Sequence, residues 1–130
     1  MANEPFVIVV ADDDPLLNAL VCELLADEGY DVRCSFTGAE AMRIIQRIRP
    51  DLVITDMQME VRDAGLQVLQ SLRQTPATIA VAVIICSADR EFLQAKYNEI
   101  ARYHAEIIAK PFELGHLLAT VQRLLATSPT

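Results

Sequence analysis

Short apolar segments alternate with amphipathic segments along the whole chain, and this alternation predicts the fold class. Five runs rich in β-branched and aliphatic residues predict buried strands at residues 6–11, 30–36, 52–56, 79–86 and 107–109. After each of them, apolar residues recur every three to four positions, which predicts a helix. Strict alternation with short connections predicts a doubly wound α/β fold, with five parallel strands and helices on both faces of the sheet.

Turn-forming and cap-forming residues mark the limits of these elements. Asp14 followed by Pro15 predicts a helix start, with Asp14 as the N-cap. Gly29 predicts the end of that helix, and Pro50 predicts the end of the second one. With 130 residues, we expect one domain covering 1–130, with a core at about 6–126 and a tail or linker start at 127–130.

The charge and hydropathy of the chain exclude several classes of function. The net charge is −7 and the basic residues are scattered, so we expect no direct nucleic acid binding, which needs clustered Lys and Arg. No apolar run approaches the roughly 18 residues of a membrane span, and the amino terminus does not resemble a secretory signal. We therefore expect no membrane association and a cytoplasmic location. Cys22, Cys34 and Cys86 lack metal-binding spacing, and we interpret all three as reduced core residues.

Polar residues follow four of the predicted strands at the point where each strand ends. They are Asp12 with Asp13, then Asp56, Ser87 and Lys110. Each has an ordinary explanation alone, as a helix cap, a turn former or a solvated charge. Because the carboxyl ends of parallel strands share the edge at which open α/β sheets bind ligands, their coincidence indicates a site.

The chemistry of these side chains points to phosphoryl transfer with a metal ion. Three close carboxylates repel one another unless a cation lies among them, and oxygen donors without His or Cys favour Mg²⁺ or Mn²⁺ over zinc. The Asp56 carboxylate is suited to act as a nucleophile toward phosphorus, giving an aspartyl phosphate. Ser87 would then donate a hydrogen bond to one phosphoryl oxygen, and Lys110 would neutralise another.

These motifs together resemble a response regulator receiver domain of two-component signal transduction. The resemblance rests on the Asp12–Asp13 pair, Asp56, the Ser-Ala at Ser87 and the Lys-Pro-Phe at Lys110, and it covers residues 6–126. It implies a flavodoxin-like sheet with strand order 2-1-3-4-5. It also implies phosphorylation of Asp56, contacts from Ser87 and Lys110, and Mg²⁺ held by Asp12, Asp13, Asp56 and the backbone carbonyl of Gln58.

The resemblance further implies a phosphoprotein switch that is not an enzyme beyond its own phosphorylation and dephosphorylation. Its phosphoryl donor would be a phosphohistidine on a sensor histidine kinase or phosphotransfer protein. Phosphorylation would change the surface around the fourth helix and fifth strand, which would act on an effector domain or a downstream protein. The sequence leaves open the cognate kinase, the output, homodimerisation through the last helices, and whether the chain is a stand-alone regulator or an excised domain.

Four positions depart from the usual pattern of this family. Glu60 stands in place of a proline, where we expect its carboxylate to lie beside the metal site and to shift cation affinity or phosphoryl lifetime. Gly65 is nine residues after Asp56 instead of eight, so the intervening loop is one residue longer. Ile107 replaces the aromatic residue that usually couples the site to the fourth helix, and the corner at residues 103–105 lacks the usual Gly-Ala.

Two other functions are alternatives to a phosphorylatable switch. The departures at Glu60 and Ile107 favour a receiver-like interaction module with a weak or absent phosphorylation-dependent read-out. A flavin carrier on the same sheet is disfavoured, because no Gly- or Ser/Thr-rich phosphate cradle follows the first strand, where three acidic residues would repel a flavin phosphate. A haloacid-type phosphatase is disfavoured, because Asp12-Asp13 with a helix entry at Pro15 does not supply its Asp-x-Asp motif.

Overall fold

A computed structural model describes residues 4–126, so the predicted tail at 127–130 lies outside the described residues. Five parallel strands form one sheet in the order β2-β1-β3-β4-β5, as predicted. The strands are β1 (Val7–Ala11), β2 (Asp31–Ser35), β3 (Leu52–Asp56), β4 (Ala82–Ser87) and β5 (Glu106–Ala109). The helices are α1 (Pro15–Asp27), α2 (Gly38–Ile48), α3 (Ala64–Gln74), α4 (Arg90–Arg102) and α5 (Leu114–Ala126).

Alternate residues of the central strands feed two separate cores, one on each face of the sheet. On one face, Val9, Val53 and Val83 pack with residues of α2, α3 and α4. On the other face, Ile8 and Ile54 pack with residues of α1 and α5. Because side chains alternate across a strand, the apolar runs read from the sequence bury both faces, and the prediction of helices on both sides is confirmed.

The first and fourth predicted strands begin later in the structure than in the sequence interpretation. The fourth was predicted from residue 79, but residues 76–78 form a 3₁₀ turn and β4 begins only at Ala82. Ile79 is therefore 57% exposed, and Phe6, predicted in the first strand, is 42% exposed. Phe6 and Ile79 are apolar residues that lie just outside a strand. The hydropathy pattern includes them in the strand, because it does not distinguish a flanking residue from a strand residue.

The corner between α4 and β5 is fixed by a side chain from a distant helix. His104 has φ +60°, a left-handed conformation that glycine adopts more readily. Arg73 of α3 donates from Nε to the carbonyl of Tyr103 at 2.7 Å and from Nη2 to that of His104 at 3.2 Å. The guanidinium therefore holds a corner that lacks the glycine usual in the family.

The cysteines correct one prediction. Cys86 is free and buried, as expected, but Cys22 of α1 and Cys34 of β2 form a disulfide. The interpretation of all three as reduced core residues is therefore wrong for Cys22 and Cys34. The edge position of β2 explains this, because Cys34 aligns with Val10 on the face that α1 covers, yet remains exposed at the sheet edge. Among the described residues, no helix is long and apolar enough to cross a membrane.

Candidate functional site

The predicted polar residues meet at the carboxyl edge of the sheet. The Lys110 ammonium, directly after β5, lies 2.9 Å from Asp12 Oδ2 and 3.0 Å from Asp56 Oδ2. Its backbone N–H donates to the carbonyl of Ser87 at 2.9 Å, which ties the end of β5 to the end of β4. Four separate strand ends thus contribute to one site, and the Lys110–Pro111 peptide bond within it is cis.

Asp12, Asp13 and Asp56 form a group of carboxylates suited to a divalent cation. One oxygen from each of the three lies within 4.8 Å of the others, and no other group of three or more potential metal ligands occurs among the described residues. Asp12 and Asp56 are buried, whereas Asp13 is exposed, so the group opens to solvent on one side. An all-oxygen set with one open side fits Mg²⁺, which retains water and phosphate ligands beside a few carboxylates.

Burial and charge perturb both partners of the central ion pair. Burial raises the pKa of Asp56, and the charges of Asp12 and Asp13 add to that effect, while Lys110 opposes it. Burial lowers the pKa of Lys110, but its hydrogen bonds to Asp12 and Asp56 outweigh burial and the pKa is raised. Lys110 therefore stays charged, and further positive charge at the site would favour the ionised, nucleophilic form of Asp56.

Asn18 is a contributor that the sequence analysis missed. Its side-chain amide is buried and donates to the carbonyls of Asp12 at 2.9 Å and Ser35 at 2.8 Å. It therefore joins the ends of β1 and β2 directly beneath the acidic pair. The available signal was a polar residue on the helix face that also carries Val21 and Leu25.

Ser87 lies at the end of β4 and contacts the start of α4. Its Oγ accepts a hydrogen bond from the N–H of Asp89 at 3.1 Å, and Asp89 in turn caps α4 by accepting from the N–H of Phe92. A hydroxyl that moved toward a phosphoryl group would release this contact. The Gln58 side chain donates to Asp89 at 3.4 Å, and the role of its backbone carbonyl as a metal ligand stays a prediction.

Gly65 occupies a position where no larger residue fits. Its N–H donates to the carbonyl of Met57 at 2.8 Å, and a Cβ added to Gly65 would lie 2.3 Å from the carbonyl oxygen of Asp56. Gly65 thus packs against the end of β3 although it comes one residue later after Asp56 than the sequence resemblance implies. The extra residue is accommodated between Met57 and Gly65, in the β3–α3 loop.

Glu60 does not face the acidic group, contrary to expectation. Its Oε1 accepts from the N–H of Gly38 at 2.7 Å and its Oε2 from the N–H of Ala39 at 2.9 Å, at the amino end of α2. The expectation of another carboxylate at the metal site is therefore wrong. Unpaired N–H groups at a helix start attract an acidic side chain, and sequence alone did not indicate that α2 began within reach.

Ile107 lies at the position predicted for it and brings no aromatic ring to β5. It aligns with Ile85 of β4, three residues before Lys110, and packs half-buried on the face covered by α4. Tyr103 packs against the same core from the preceding corner. A shallow cavity of about 270 Å³ lies between Ile107 and Tyr97 of α4, and Tyr97 is itself 58% exposed.

Comparison with known proteins agrees with this geometry. A family model described as the response regulator receiver domain matches residues 8–122. The DNA-binding dual master transcriptional regulator RpaA of Synechocystis is 30% identical over 91% of this chain and 48% of its own length. Response regulator MprA of Mycobacterium sp. (strain KMS) is 32% identical over 96% of this chain and 53% of its own. The chain thus spans about half the length of these curated relatives.

Solved structures give the same result for the fold. The chemotaxis response regulator CheY4 of Vibrio cholerae superposes with a TM-score of 0.83 at 25% identity, covering 93% of this chain and 99% of that one. The receiver domain of Francisella response regulator 1452 superposes with a TM-score of 0.82 at 26% identity, covering 95% of this chain and 99% of that one. The flavodoxin-like fold implied by the sequence motifs is therefore confirmed.

Proposed function

The chain belongs to the response regulator receiver domain family, and from that premise we propose that it is a phosphoacceptor switch that carries its phosphoryl group on Asp56. The observation that carries the proposal is the contact of the Lys110 ammonium with both Asp12 and Asp56, beside Asp13. A partly buried lysine held between two carboxylates at a sheet's binding edge is an arrangement suited to a transferring phosphoryl group.

The proposed reaction transfers a phosphoryl group from a phosphohistidine of a sensor kinase or phosphotransfer protein. An oxygen of Asp56 forms a bond to phosphorus as the phosphorus–nitrogen bond of the donor breaks, and the imidazole leaves with the electron pair and takes up a proton. Lys110 would pair with a phosphoryl oxygen, and the Ser87 hydroxyl would donate to another after leaving the Asp89 N–H. Asp12, Asp13, Asp56 and the Gln58 carbonyl would hold Mg²⁺, which would neutralise charge on the phosphoryl oxygens.

We infer that the read-out involves the surface formed by α4 and β5. Ser87 is linked to the start of α4 through Asp89, so movement of the hydroxyl would reach that helix first. The absence of an aromatic ring at Ile107 favours a second candidate, a receiver-like interaction module whose binding does not depend on phosphorylation. Equal affinity of a partner for the phosphorylated and unmodified chains would support that second candidate.

The proposed setting is a single receiver domain in the cytoplasm, acting on an effector domain or a downstream protein. The relatives span about twice the length of this chain, and RpaA is described as DNA-binding, which supports an effector outside the receiver fold. The Cys22–Cys34 disulfide takes no part in the ion pairs of Lys110 with Asp12 and Asp56, so the proposed chemistry does not depend on it.

The proposal is tested by incubating the chain with Mg²⁺ and acetyl phosphate and measuring its intact mass. We expect a gain of one phosphoryl group that requires Mg²⁺ and is abolished in Asp56→Asn. Asp14→Asn is a matched control, because Asp14 caps α1 and asparagine caps equally well. An adduct that persists in Asp56→Asn, or that is lost equally in Asp14→Asn, would count against the proposal.

A further inference from the structure

The amino end of α2 is capped by two separate parts of the chain. Within its own segment, Thr37 Oγ1 accepts from the N–H of Glu40 at 3.0 Å, and Glu40 Oε1 accepts from the N–H of Phe36 at 2.8 Å. These contacts do not involve the N–H groups of Gly38 and Ala39. Glu60 accepts a hydrogen bond from each of the two. Since the first N–H groups of a helix have no partners inside it, Glu60 supplies a cap that α2 does not provide for itself.

The same contact determines where the β3–α3 loop lies. The loop is anchored at its ends, where the N–H of Met57 donates to the carbonyl of Cys86 and that of Gly65 to the carbonyl of Met57. Between these anchors, Glu60 joins the loop to α2 on one side. On the other side Arg62 stacks on the ring of Phe92, 4.5 Å from its centroid, and lies 3.8 Å from Asp89.

The Glu60 contact compensates for the lengthened loop. The family's usual proline at this position stiffens the backbone by fixing its φ angle. This loop has no proline and one extra residue, so its backbone would be freer without an external tie. Glu60 lies only two residues after Gln58, and its two charge-assisted hydrogen bonds to α2 provide that tie.

We propose that Glu60 is a positioning residue of the phosphorylation site, which fixes the backbone of Gln58 through the cap on α2 and thereby sets the affinity for Mg²⁺. The inference rests on the proposed function, since it assumes that Gln58 offers its carbonyl to the metal. Glu60 itself touches neither the metal site nor the phosphoryl group. Its effect is exerted through the backbone of the loop.

The test compares Mg²⁺ binding by calorimetry for the wild type, Glu60→Ala and Glu40→Ala. Both substitutions remove a carboxylate that accepts backbone N–H groups at the entry to α2, Glu40 from Phe36 just before the helix and Glu60 from Gly38 and Ala39 within it. Only Glu60 connects the helix to the loop. We expect Glu60→Ala to raise the Kd for Mg²⁺ about tenfold, the lower end of the range for residues that orient metal ligands. Glu60→Gln, which keeps one acceptor oxygen, should fall between, and Glu40→Ala should stay within about twofold of the wild type.

Amide hydrogen exchange of residues 58–62 provides a second reading on the same proteins. We expect Glu60→Ala to accelerate exchange both there and at residues 38 and 39, and Glu40→Ala to accelerate it at α2 alone. An unchanged Kd in Glu60→Ala, or equal rises in Glu60→Ala and Glu40→Ala, would overturn the inference and leave the proposed function standing. Absence of Mg²⁺ binding in the wild type would overturn both.

Discussion

Lys110 and Arg73 are partly buried cations at opposite edges of the same sheet, and their partners differ in kind. Lys110, at the carboxyl edge, contacts the carboxylates of Asp12 and Asp56. Arg73, at the amino edge, donates only to backbone carbonyls, and no described residue gives it a carboxylate within ion-pair distance. Its acceptors are the carbonyls of Ile79, Val81, Tyr103 and His104.

The difference in partners separates a functional cation from a structural one. Burial lowers the pKa of Arg73, because carbonyls satisfy its hydrogen bonds without neutralising its charge. The carboxylates around Lys110 outweigh burial and raise its pKa instead. The carbonyls belong to the backbone of the folded corner, whereas under the proposed function a metal ion would compete with Lys110 for its carboxylates and a phosphoryl oxygen would become its new partner. One edge of the sheet is therefore fixed and the other is open to exchange.

The largest effect on stability is expected from Arg73→Ala. The substitution leaves four carbonyls without their charged donor and should lower the free energy of unfolding by about 3 kcal/mol. Phosphorylation of Asp56 should be retained in the fraction that folds. Urea unfolding measures the loss. Arg102→Ala is the control, since Arg102 is an exposed residue at the end of α4, next to the same corner, and its loss should cost under about 0.5 kcal/mol. Equal losses of unfolding free energy in the two variants would contradict a structural role for Arg73.

Lys110→Ala should have a smaller effect that depends on metal. Removing the ammonium leaves three close carboxylates without a counter-charge, and should cost about 2 kcal/mol in the absence of divalent ions. Mg²⁺ should restore more stability to this variant than it adds to the wild type, because the ion no longer competes with Lys110. Lys96→Ala, which removes surface contacts of α4 with Glu99 and the Phe92 ring, is the control and should respond to Mg²⁺ as the wild type does. Equal stabilisation of Lys110→Ala and wild type by Mg²⁺ would contradict the claim that Lys110 and the ion share the same carboxylates.

The contrast also shows what sequence could predict and what it could not. Asp12, Asp56 and Lys110 were predictable because each follows a recognisable strand, and parallel strands bring their carboxyl ends to one edge. The partners of Arg73 were not, because they are backbone atoms up to 31 residues away, and backbone acceptors leave no mark in the sequence.

The same reason applies to Glu60 and Asn18, whose hydrogen-bond partners are backbone groups brought near by tertiary structure. The Cys22–Cys34 pair was missed for a related cause. Its geometry depends on how α1 lies across the edge strand β2, which hydrophobic patterning does not specify. Local patterns therefore predicted the elements and the strand-end chemistry, while the long-range contacts that hold the loops required the structure.

The smallest effect concerns Cys86, a buried residue in the strand next to Asp56. Cys86 of β4 aligns with Asp56, and burial raises the pKa of its thiol to about 12. The protonated Cys86 thiol should contribute fully to the free energy of unfolding below the ordinary thiol pKa of 9.0. This contribution should be lost as the pH rises toward 12. Ellman titration at pH 8 without reductant should detect no native thiol and a single one in urea. Rapid reaction of Cys86 in the native protein would contradict its burial, and three thiols in urea would contradict the disulfide.

The most direct test of the account is to identify the residue that carries the phosphoryl group. Borohydride reduces an aspartyl phosphate to homoserine, which peptide mass spectrometry can locate in the wild type after reaction with acetyl phosphate and Mg²⁺. We predict homoserine at position 56 alone, and none when Mg²⁺ is withheld. Conversion at another residue, or none at position 56 in a folded protein that binds Mg²⁺, would contradict the assignment.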